Sequence, residues 1–269
     1  MYHRAPMSHS SGETASGPNR RARVIHVVLP AYNEERRIGG LLDRIDEAMH
    51  EESLSYAVVA VDDGSTDATA AIVRERAGRM PISLVEHPRN LGLGAAIRDG
   101  VAAAARQAAE RDVIVTMDAD ATHAPALILR MVRMLREGYD VVIASRYQPG
   151  SRQVGVPLGR RALSRAGSLL VRLLFPTPGV RDFTCGFRAY RATVLQSALQ
   201  RFGPDFLSQD GFQCMIDILL KLRRMNVIFG EVPFLLRYDL KQGGSKMKVW
   251  ETTGNTLRLL MRHKLARGV

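Results

Sequence analysis

The sequence predicts an α/β fold, a doubly wound and mostly parallel sheet with helices on both faces. Apolar segments of strand length alternate along the chain with longer segments whose apolar residues recur at helical spacing. The segment 113–118 is a short apolar run rich in β-branched residues, which is typical of a strand buried on both faces of a parallel sheet. A chain of 269 residues is long enough to form such a domain.

The predicted elements follow one another in β-α units, and such alternation favours a parallel sheet. The predicted strands are 23–29, 57–61, 82–86, 113–118 and 140–144, and a last strand at 227–236, in which Pro233 favours an edge position. The predicted helices are 38–49, 67–78, 93–110, 125–137, 158–175, 211–224 and 249–266. Residues 1–22 are predicted to be a disordered basic leader, because they are polar and low in apolar content.

The charge balance predicts an anionic partner. Lys and Arg number 38 against 27 Asp and Glu, which gives a net charge of +11. Nucleic acid, an acidic membrane surface or a phosphorylated substrate would each fit this excess. No apolar run is long enough to span a membrane, so no transmembrane segment is expected. Two cysteines far apart, Cys185 and Cys214, imply neither a disulfide framework nor a zinc site, which fits a cytoplasmic protein.

Two carboxylates follow the buried strand 113–118. Side chains at alternate positions of an extended segment point the same way, so Asp118 and Asp120 are expected to enter the crevice at the carboxyl edge of the sheet together. Oxygen ligands of this kind suit Mg²⁺ or Mn²⁺, which complete their coordination with phosphate and water. The alternative is that the aspartates cap the next helix, but Pro125 places that cap near Ala124.

A second acidic turn, Asp62-Asp63-Gly64-Ser65, follows the strand 57–61. Ser65 or Thr66 can cap the next helix, which would explain the turn without a ligand. Capping does not account for Asp63, which is expected to face the crevice and to accept hydrogen bonds from a base or ribose. The nearby Gly92-Leu93-Gly94 is a weak dinucleotide-binding signal, because Ile97 stands where a third glycine belongs, and helix packing is the favoured role.

The segment 141–180 contains no Asp or Glu, and it is rich in arginine, which suits contact with phosphate. Within it, the predicted helix 158–175 separates leucines from most of its arginines, as a helix at a membrane surface would. The alternative is an ordinary surface helix packed on its own core. The last helix, 249–266, is also apolar and basic.

Eight short motifs together resemble family 2 glycosyltransferases. They are Val-Val-Leu-Pro-Ala-Tyr-Asn-Glu (27–34), Val-Asp-Asp-Gly-Ser-Thr-Asp (61–67), Asn-Leu-Gly-Leu-Gly (90–94), Met-Asp-Ala-Asp (117–120), Ser-Arg-Tyr (145–147), Gly-Phe-Arg-Ala-Tyr (186–190), Gly-Glu-Val-Pro (230–233) and Gly-Ser-Lys-Met (244–247). The resemblance covers residues 24–249 and is strongest to members that transfer mannose to a polyprenyl or dolichyl phosphate. It implies a GT-A fold with a nucleotide-sugar half (23–145) and an acceptor half (146–249) as a C-terminal acceptor-side extension. The apolar and basic pattern adds a C-terminal amphipathic basic helix (250–269) after this domain.

The resemblance also implies roles for individual residues. Around the donor it implies Pro30, Tyr32, Glu34, Val61, Asp63, Asp118, Ala119 and Asp120, with Arg237 and Lys246 closing over it. Asp118 and Asp120 would hold Mg²⁺ or Mn²⁺, Arg146 would bind phosphate and assist catalysis, and Arg160 and Ser164 would bind the lipid phosphate. Two departures are visible: Thr122 stands where some relatives have a metal-binding glutamine, and the loop between Arg237 and Lys246 is longer than usual.

The implied reaction moves a hexose, mannose from GDP-mannose in the first place, to a polyprenyl phosphate with inversion at the anomeric carbon. The acceptor phosphate is already mostly dianionic at pH 7, so no protein base is needed, in agreement with the absence of a convincing histidine-carboxylate pair in the sequence. The enzyme would then act peripherally at the cytoplasmic face of an anionic membrane.

Alternatives are another donor, such as UDP-glucose, or a saccharide acceptor with Asp182 as base. The remote alternative, a non-catalytic nucleic-acid-binding protein, lacks a binding signature or an aromatic stacking run, and no nucleic-acid partner is expected.

Overall fold

The structure is a computed structural model that describes residues 22–240 and 249–265. The strands are β1 (Val24–Ala31), β2 (Ser55–Asp62), β3 (Ile82–Glu86), β4 (Val113–Thr116), β5 (Val141–Ser145), β6 (Arg152–Val154), β7 (Arg188–Arg191), β8 (Phe229–Pro233) and β9 (Leu235–Arg237). The helices are α1 (Ile38–Glu51), α2 (Thr69–Ala77), α3 (Leu93–Gln107), α4 (Leu127–Arg136), α5 (Leu158–Leu174), α6 (Ala192–Phe202), α7 (Cys214–Leu222) and α8 (Val249–Leu265).

Seven strands form one sheet in the order β3-β2-β1-β4-β7-β5-β8, and β6 pairs with β9 in a separate two-stranded sheet. All neighbours in the large sheet run parallel except β7, which is antiparallel to both β4 and β5. The chain leaves β1 toward β3 and then returns to place β4 on the other side of β1. Open α/β sheets bind ligands at such a reversal, so the loops after β1 and β4 mark the expected crevice.

The central strands form the core because their side chains are apolar on both faces. Every residue of β4 and of β5 is buried, and so are most residues of β1 and β2. Burial of each such valine, leucine or isoleucine contributes about 1.5–3 kcal/mol. Helix α1 adds one apolar face, with Ile38, Leu41, Leu42 and Ile45 fully buried. The predicted α/β fold with a mostly parallel sheet is therefore confirmed.

The structure corrects several predicted elements. Strand β4 ends at Thr116, so Asp118 and Asp120 lie on the following loop, and alternation along a strand does not aim them. The predicted strand 227–236 is two strands: β8 lies at the edge of the large sheet, as Pro233 predicts, whereas β9 belongs to the small one. Strands β6 and β7 and helix α6 were not predicted. Strand β7 was missed because the polar Arg188 and Arg191 interrupt its apolar pattern.

Residues 146–240 supply strands β7 and β8 to the same sheet as residues 22–145, so the two predicted halves share one sheet. Most of the predicted leader, all of residues 241–248 and the last residues of the chain lie outside the described residues. Within the described ranges, no helix is both long enough and apolar enough to cross a bilayer.

The start of α3 is in close contact with the segment before α7. A Cβ atom on Gly94 would lie 1.6 Å from the carbonyl oxygen of Gln209, and the Gly94 amide donates a 2.7 Å hydrogen bond to the Asp210 carbonyl. Gly94 is therefore required for close backbone packing, in agreement with the packing role favoured over dinucleotide binding.

This contact predicts the effect of a single methyl group. Gly94→Ala should lower the free energy of unfolding by roughly 1–3 kcal/mol, because the 209–210 backbone must move away. The matched control is Gly40→Ala in α1, where a Cβ meets nothing within 4 Å and where alanine should be neutral or stabilising by up to about 1 kcal/mol. Urea unfolding of both variants measures the difference, and equal stabilities would contradict the packing role.

Candidate active site

The acidic loop after β4, residues 117–123, is ordered by its own side chains. The Thr122 hydroxyl and amide both donate to Asp120 Oδ1, at 2.6 Å and 3.2 Å. Ala121 between them has a positive φ of 59°, which turns the chain sharply. The Thr122 hydroxyl therefore orients the Asp120 carboxylate.

A buried histidine supports the other carboxylate. The Asp118 amide donates to His123 Nδ1 at 3.4 Å, which leaves the proton on Nε2, 3.7 Å from Asp118 Oδ2. The imidazole stacks on Phe187 and meets the edge of Phe234. Sequence reasoning missed this pair because the two residues are five positions apart in a loop without periodicity.

The donor atoms on this loop fit a divalent cation. The Asp118 side chain is 43% exposed, so its carboxylate is accessible at the switch point of the sheet. In the described part of the chain no cluster of three or more His, Cys, Asp or Glu could hold a metal. Two carboxylates completed by substrate phosphate and water are the usual arrangement for Mg²⁺, and Ala119 lies buried between them.

The residues expected around the nucleotide lie at the carboxyl ends of β1 and β2. Pro30 and Val61 are register partners in these strands, and the Val61 side chain is fully buried, so a ligand can meet only its main chain. Tyr32 and Glu34 follow β1, and Glu34 pairs with Arg37 at 2.7 Å. Asp63 is buried, and its carboxylate accepts the amides of Leu91 and Gly92.

Arg146 and Asp182 form a buried pair on the other side of the loop. Arg146 Nε and Nη2 each lie 2.7 Å from a different Asp182 oxygen, and Nη2 also donates to the Thr184 hydroxyl. Asp182 is fully buried, while the Arg146 side chain is 16% exposed. Nη1 of Arg146 has no hydrogen-bond partner within residues 22–240 and 249–265, so its N–H groups remain available to a ligand.

The pair excludes Asp182 as a base. Burial would raise the pKa of this carboxyl group, but the Arg146 guanidinium and the surrounding amides lower it below its ordinary value. Burial lowers the pKa of Arg146, but the Asp182 carboxylate raises it by more, so that the pKa lies above its ordinary value. Because Asp182 also accepts the Thr184 and Cys185 amides, it offers no free acceptor for a substrate proton. The alternative with Asp182 as base for a saccharide acceptor is therefore not supported.

Glu231 holds the backbone that carries Asp182. Its Oε1 accepts the amides of Arg181 and Asp182 at 2.6 Å and 2.7 Å, and burial raises the pKa of this carboxyl group. Burial also raises the pKa values of Cys185 and Cys214 to about 12, so neither thiol is a nucleophile.

The predicted acceptor residues are brought together around α5. Tyr147, next to Arg146, bonds Ser164 at 3.0 Å between hydroxyl oxygens, and Arg160 Nη1 donates to the Tyr238 hydroxyl at 2.9 Å. Tyr238 follows β9, and the amide of Arg237 in β9 donates to the Thr122 carbonyl at 3.3 Å. β9 therefore joins the acidic loop to α5.

Of the two residues expected to close over the donor, the structure describes Arg237 but not Lys246. The Arg237 side chain is paired with Asp239, which raises its pKa. Its role in closure stays a prediction, and Lys246 lies outside the described residues.

Helix α5 exposes most of its apolar side chains. Leu158 and Leu173 are 78% and 70% exposed, and only Ser168 and Val171 of the helix are buried. The other exposed leucines of the helix are Leu163, Leu169, Leu170 and Leu174. Among the described residues, this exposure favours a helix at a membrane surface over an ordinary surface helix packed on its own core.

Comparison with known proteins agrees with this geometry. The profile described as Glycosyl transferase family 2 matches residues 26–199. A dolichol-phosphate mannosyltransferase of Pyrococcus furiosus is 30% identical over 240 residues, 89% of this chain and 62% of that protein. An undecaprenyl-phosphate mannosyltransferase of Micrococcus luteus is 33% identical over 223 residues, 82% of this chain and 86% of that protein. The chain thus spans less than two thirds of the Pyrococcus protein.

A solved structure shows the same fold. Glucosyl-3-phosphoglycerate synthase from Mycobacterium tuberculosis, in complex with Mn²⁺, UDP and glucosyl-3-phosphoglycerate, superposes with a TM-score of 0.65 at 22% identity. The match covers 90% of this chain and 80% of that one. At this identity the likeness bears on the fold alone.

The buried pair predicts a pH-dependent loss of stability. Asp182→Asn should lower the free energy of unfolding by roughly 3 kcal/mol at pH 7, because it leaves the Arg146 charge unpaired. Because the pKa of folded Asp182 is lowered, its contribution is complete above about pH 4 and is lost as the pH falls through the folded value. The deficit of Asp182→Asn should therefore shrink in acid.

Urea unfolding at pH 7 and below pH 4 measures this deficit. The control is Asp43→Asn, a half-exposed carboxylate that should change stability by less than about 0.5 kcal/mol. A deficit at pH 7 no larger than that of the control would contradict the role of the pair.

Proposed function

Because the chain belongs to glycosyl transferase family 2, we propose that it transfers a hexose from a nucleotide sugar to a polyprenyl or dolichyl phosphate. GDP-mannose is the expected donor, and the relatives named as mannosyltransferases support this choice. The observation that supports the proposal is the connection through β9: the Arg237 amide bonds Thr122 of the acidic loop, and the next residue, Tyr238, bonds Arg160 of α5. Membership of this family also sets aside the alternative of a non-catalytic nucleic-acid-binding protein.

The donor would lie across the carboxyl ends of β1, β2 and β4. Asp118 and Asp120 would hold Mg²⁺ or Mn²⁺, which would offset the charge that develops on the leaving diphosphate. Thr122 and His123 keep the two carboxylates in place. The diphosphate would lie beside this cation, with Arg237 and Lys246 as the residues that close the site.

The acceptor would enter beside α5. Arg160 and Ser164 lie one helical turn apart and would bind its phosphate together with Arg146. The phosphate oxygen attacks the anomeric carbon as the glycosyl bond to the diphosphate breaks, and the anomeric configuration inverts. The attacking phosphate is its own nucleophile, and Asp182, its charge already paired, is not needed as a base.

The proposed acceptor requires access to a membrane surface. Besides its exposed leucines, α5 carries four arginines, Arg160, Arg161, Arg165 and Arg172. A groove of about 480 Å³ lies at the end of the helix, lined by Leu169, Arg172, Leu173, Pro176, Thr177 and Pro178. We place this face on the anionic headgroups of the cytoplasmic leaflet, where each arginine would contribute about 1 kcal/mol.

Transfer itself tests the function. The protein, Mn²⁺ and a short-chain polyprenyl phosphate are incubated with radiolabelled GDP-mannose or UDP-glucose, and label in the lipid phase is counted. We expect label from GDP-mannose, and we expect Asp120→Asn to lower the rate at least about 100-fold because the cation loses a ligand. Asp205→Asn, an exposed carboxylate, is the control. No lipid-linked label from either sugar, or full activity of folded Asp120→Asn, would contradict the proposal.

Membrane binding is tested with vesicles. The wild-type protein should sediment with anionic liposomes at low salt and be released at high salt, because screening weakens the arginine contacts. Leu169→Glu with Leu173→Glu should abolish sedimentation. The charge-matched control is Ile228→Glu with Gln107→Glu, two exposed positions outside α5. Equal sedimentation of the two double variants would show that α5 is not the contact face.

A further inference from the structure

A buried histidine links the nucleotide side of the crevice to α3. His87, directly after β3, lies with Nδ1 2.7 Å from Asp63 Oδ1 and Nε2 3.1 Å from Asp99 Oδ2. The imidazole is 6% exposed, and Asp99 is held in turn by Arg98 Nε at 3.0 Å. No motif of the sequence drew attention to His87, because its partners lie 24 and 12 residues away.

Each ring nitrogen of His87 lies within hydrogen-bond distance of a carboxylate oxygen, Nδ1 of Asp63 and Nε2 of Asp99. Asp63 also accepts two backbone amides, and Asp99 accepts Arg98 Nε. His87 therefore joins two carboxylates that are themselves held by other donors.

The hydrogen bonds to Asp63 leave it one acceptor position. A carboxylate has about four lone-pair sites. On Oδ1, Asp63 accepts His87 at 2.7 Å and the Leu91 amide at 2.8 Å, and on Oδ2 it accepts the Gly92 amide at 2.9 Å. The remaining site is the second lone pair of Oδ2.

The backbone around Asp63 leaves this carboxylate little freedom. Gly64 has a positive φ of 69°, and a Cβ there would lie 2.3 Å from the carbonyl carbon of Arg89. The loop 87–92 therefore packs directly over the turn that carries Asp63. His87 is the side chain that fixes the carboxylate from the other side, through Asp99 on α3.

We propose that His87 is a positioning residue for recognition of the donor base. By occupying Oδ1, it directs the free lone pair of Asp63 Oδ2 toward a ring N–H of the base. Guanine and uracil present such an N–H, whereas adenine and cytosine present an acceptor nitrogen at the corresponding position. The inference rests on the proposed function, in which Asp63 meets the nucleotide.

Two substitutions separate the bonds of His87. Asn places its amide donor where Nδ1 lies, and Gln places it where Nε2 lies, so His87→Asn keeps the bond to Asp63 and His87→Gln keeps the bond to Asp99. Binding of GDP, UDP and ADP is measured by titration calorimetry in Mn²⁺ buffer, with KM for the sugar nucleotide and kcat alongside. His50→Asn and His50→Gln, on an exposed histidine of α1, are the controls.

We expect His87→Asn to bind GDP within about three-fold of the wild type and His87→Gln to bind it about ten-fold more weakly or worse, the effect of losing a bond to a charged group. The loss in His87→Gln should raise KM for the sugar nucleotide more than it lowers kcat. The affinity for ADP, which is expected to be weaker than that for GDP in the wild type, should be unchanged. Asp99→Asn, which leaves Asp63 and His87 in place, should weaken GDP binding several-fold, so that the inference is tested even where His87→Gln fails to fold.

Equal weakening by His87→Asn and His87→Gln, or an equal loss for ADP and GDP, would overturn the positioning role. If the wild-type protein binds GDP and transfers the sugar, but His87→Asn and His87→Gln do not differ in their affinity for GDP, only this inference is overturned. A wild-type protein that binds neither GDP nor UDP would overturn the assignment of Asp63 to a nucleotide, and the proposed function with it.

Discussion

The buried ion pair between Arg146 and Asp182 fixes the side of the site that we propose for the acceptor. Asp182 is fully buried and accepts hydrogen bonds from two nitrogens of Arg146 and from the Thr184 and Cys185 amides. Glu231 holds the backbone of Asp182 from β8. Since the loop carrying Asp182 leads directly into β7, the pair also fastens the antiparallel strand that lies between β4 and β5. Of the three guanidinium nitrogens of Arg146, Nη1 alone has no partner among the described residues and remains for a phosphate.

The donor side is built in a different way. There, short loops after β1, β2 and β3 are held together by carboxylates that accept backbone amides, as Asp63 does for Leu91 and Gly92. Close backbone contacts at Gly64 and Gly94 bring these loops against one another and against residues 209–210. A rigid donor side and an exposed, apolar acceptor helix suit a soluble nucleotide sugar on one side and a lipid phosphate on the other.

The fold class and the location of the acidic loop could be predicted from the sequence, because β-branched runs and helical periodicity are local signals. The supporting contacts could not. His123 reaches Asp118 across a loop, and His87 joins Asp63, directly after β2, to Asp99 of α3, so neither set of contacts has a spacing that a pattern would reveal. Strand β7 was missed for a related reason: the two terminal nitrogens of its buried Arg188 donate to the carbonyl groups of Phe183 and Met215, which only the folded chain brings near.

The most direct test of this account is a crystal structure of the protein with Mn²⁺, GDP and a short-chain polyprenyl phosphate. The account predicts that Mn²⁺ is bound by carboxylate oxygens of Asp118 and Asp120, and that a phosphate oxygen lies within hydrogen-bond distance of Arg146 Nη1. In the same structure, Nε and Nη2 of Arg146 should still hold Asp182. A cation bound away from both aspartates, or an Arg146 that leaves Asp182 to reach the phosphate, would contradict it.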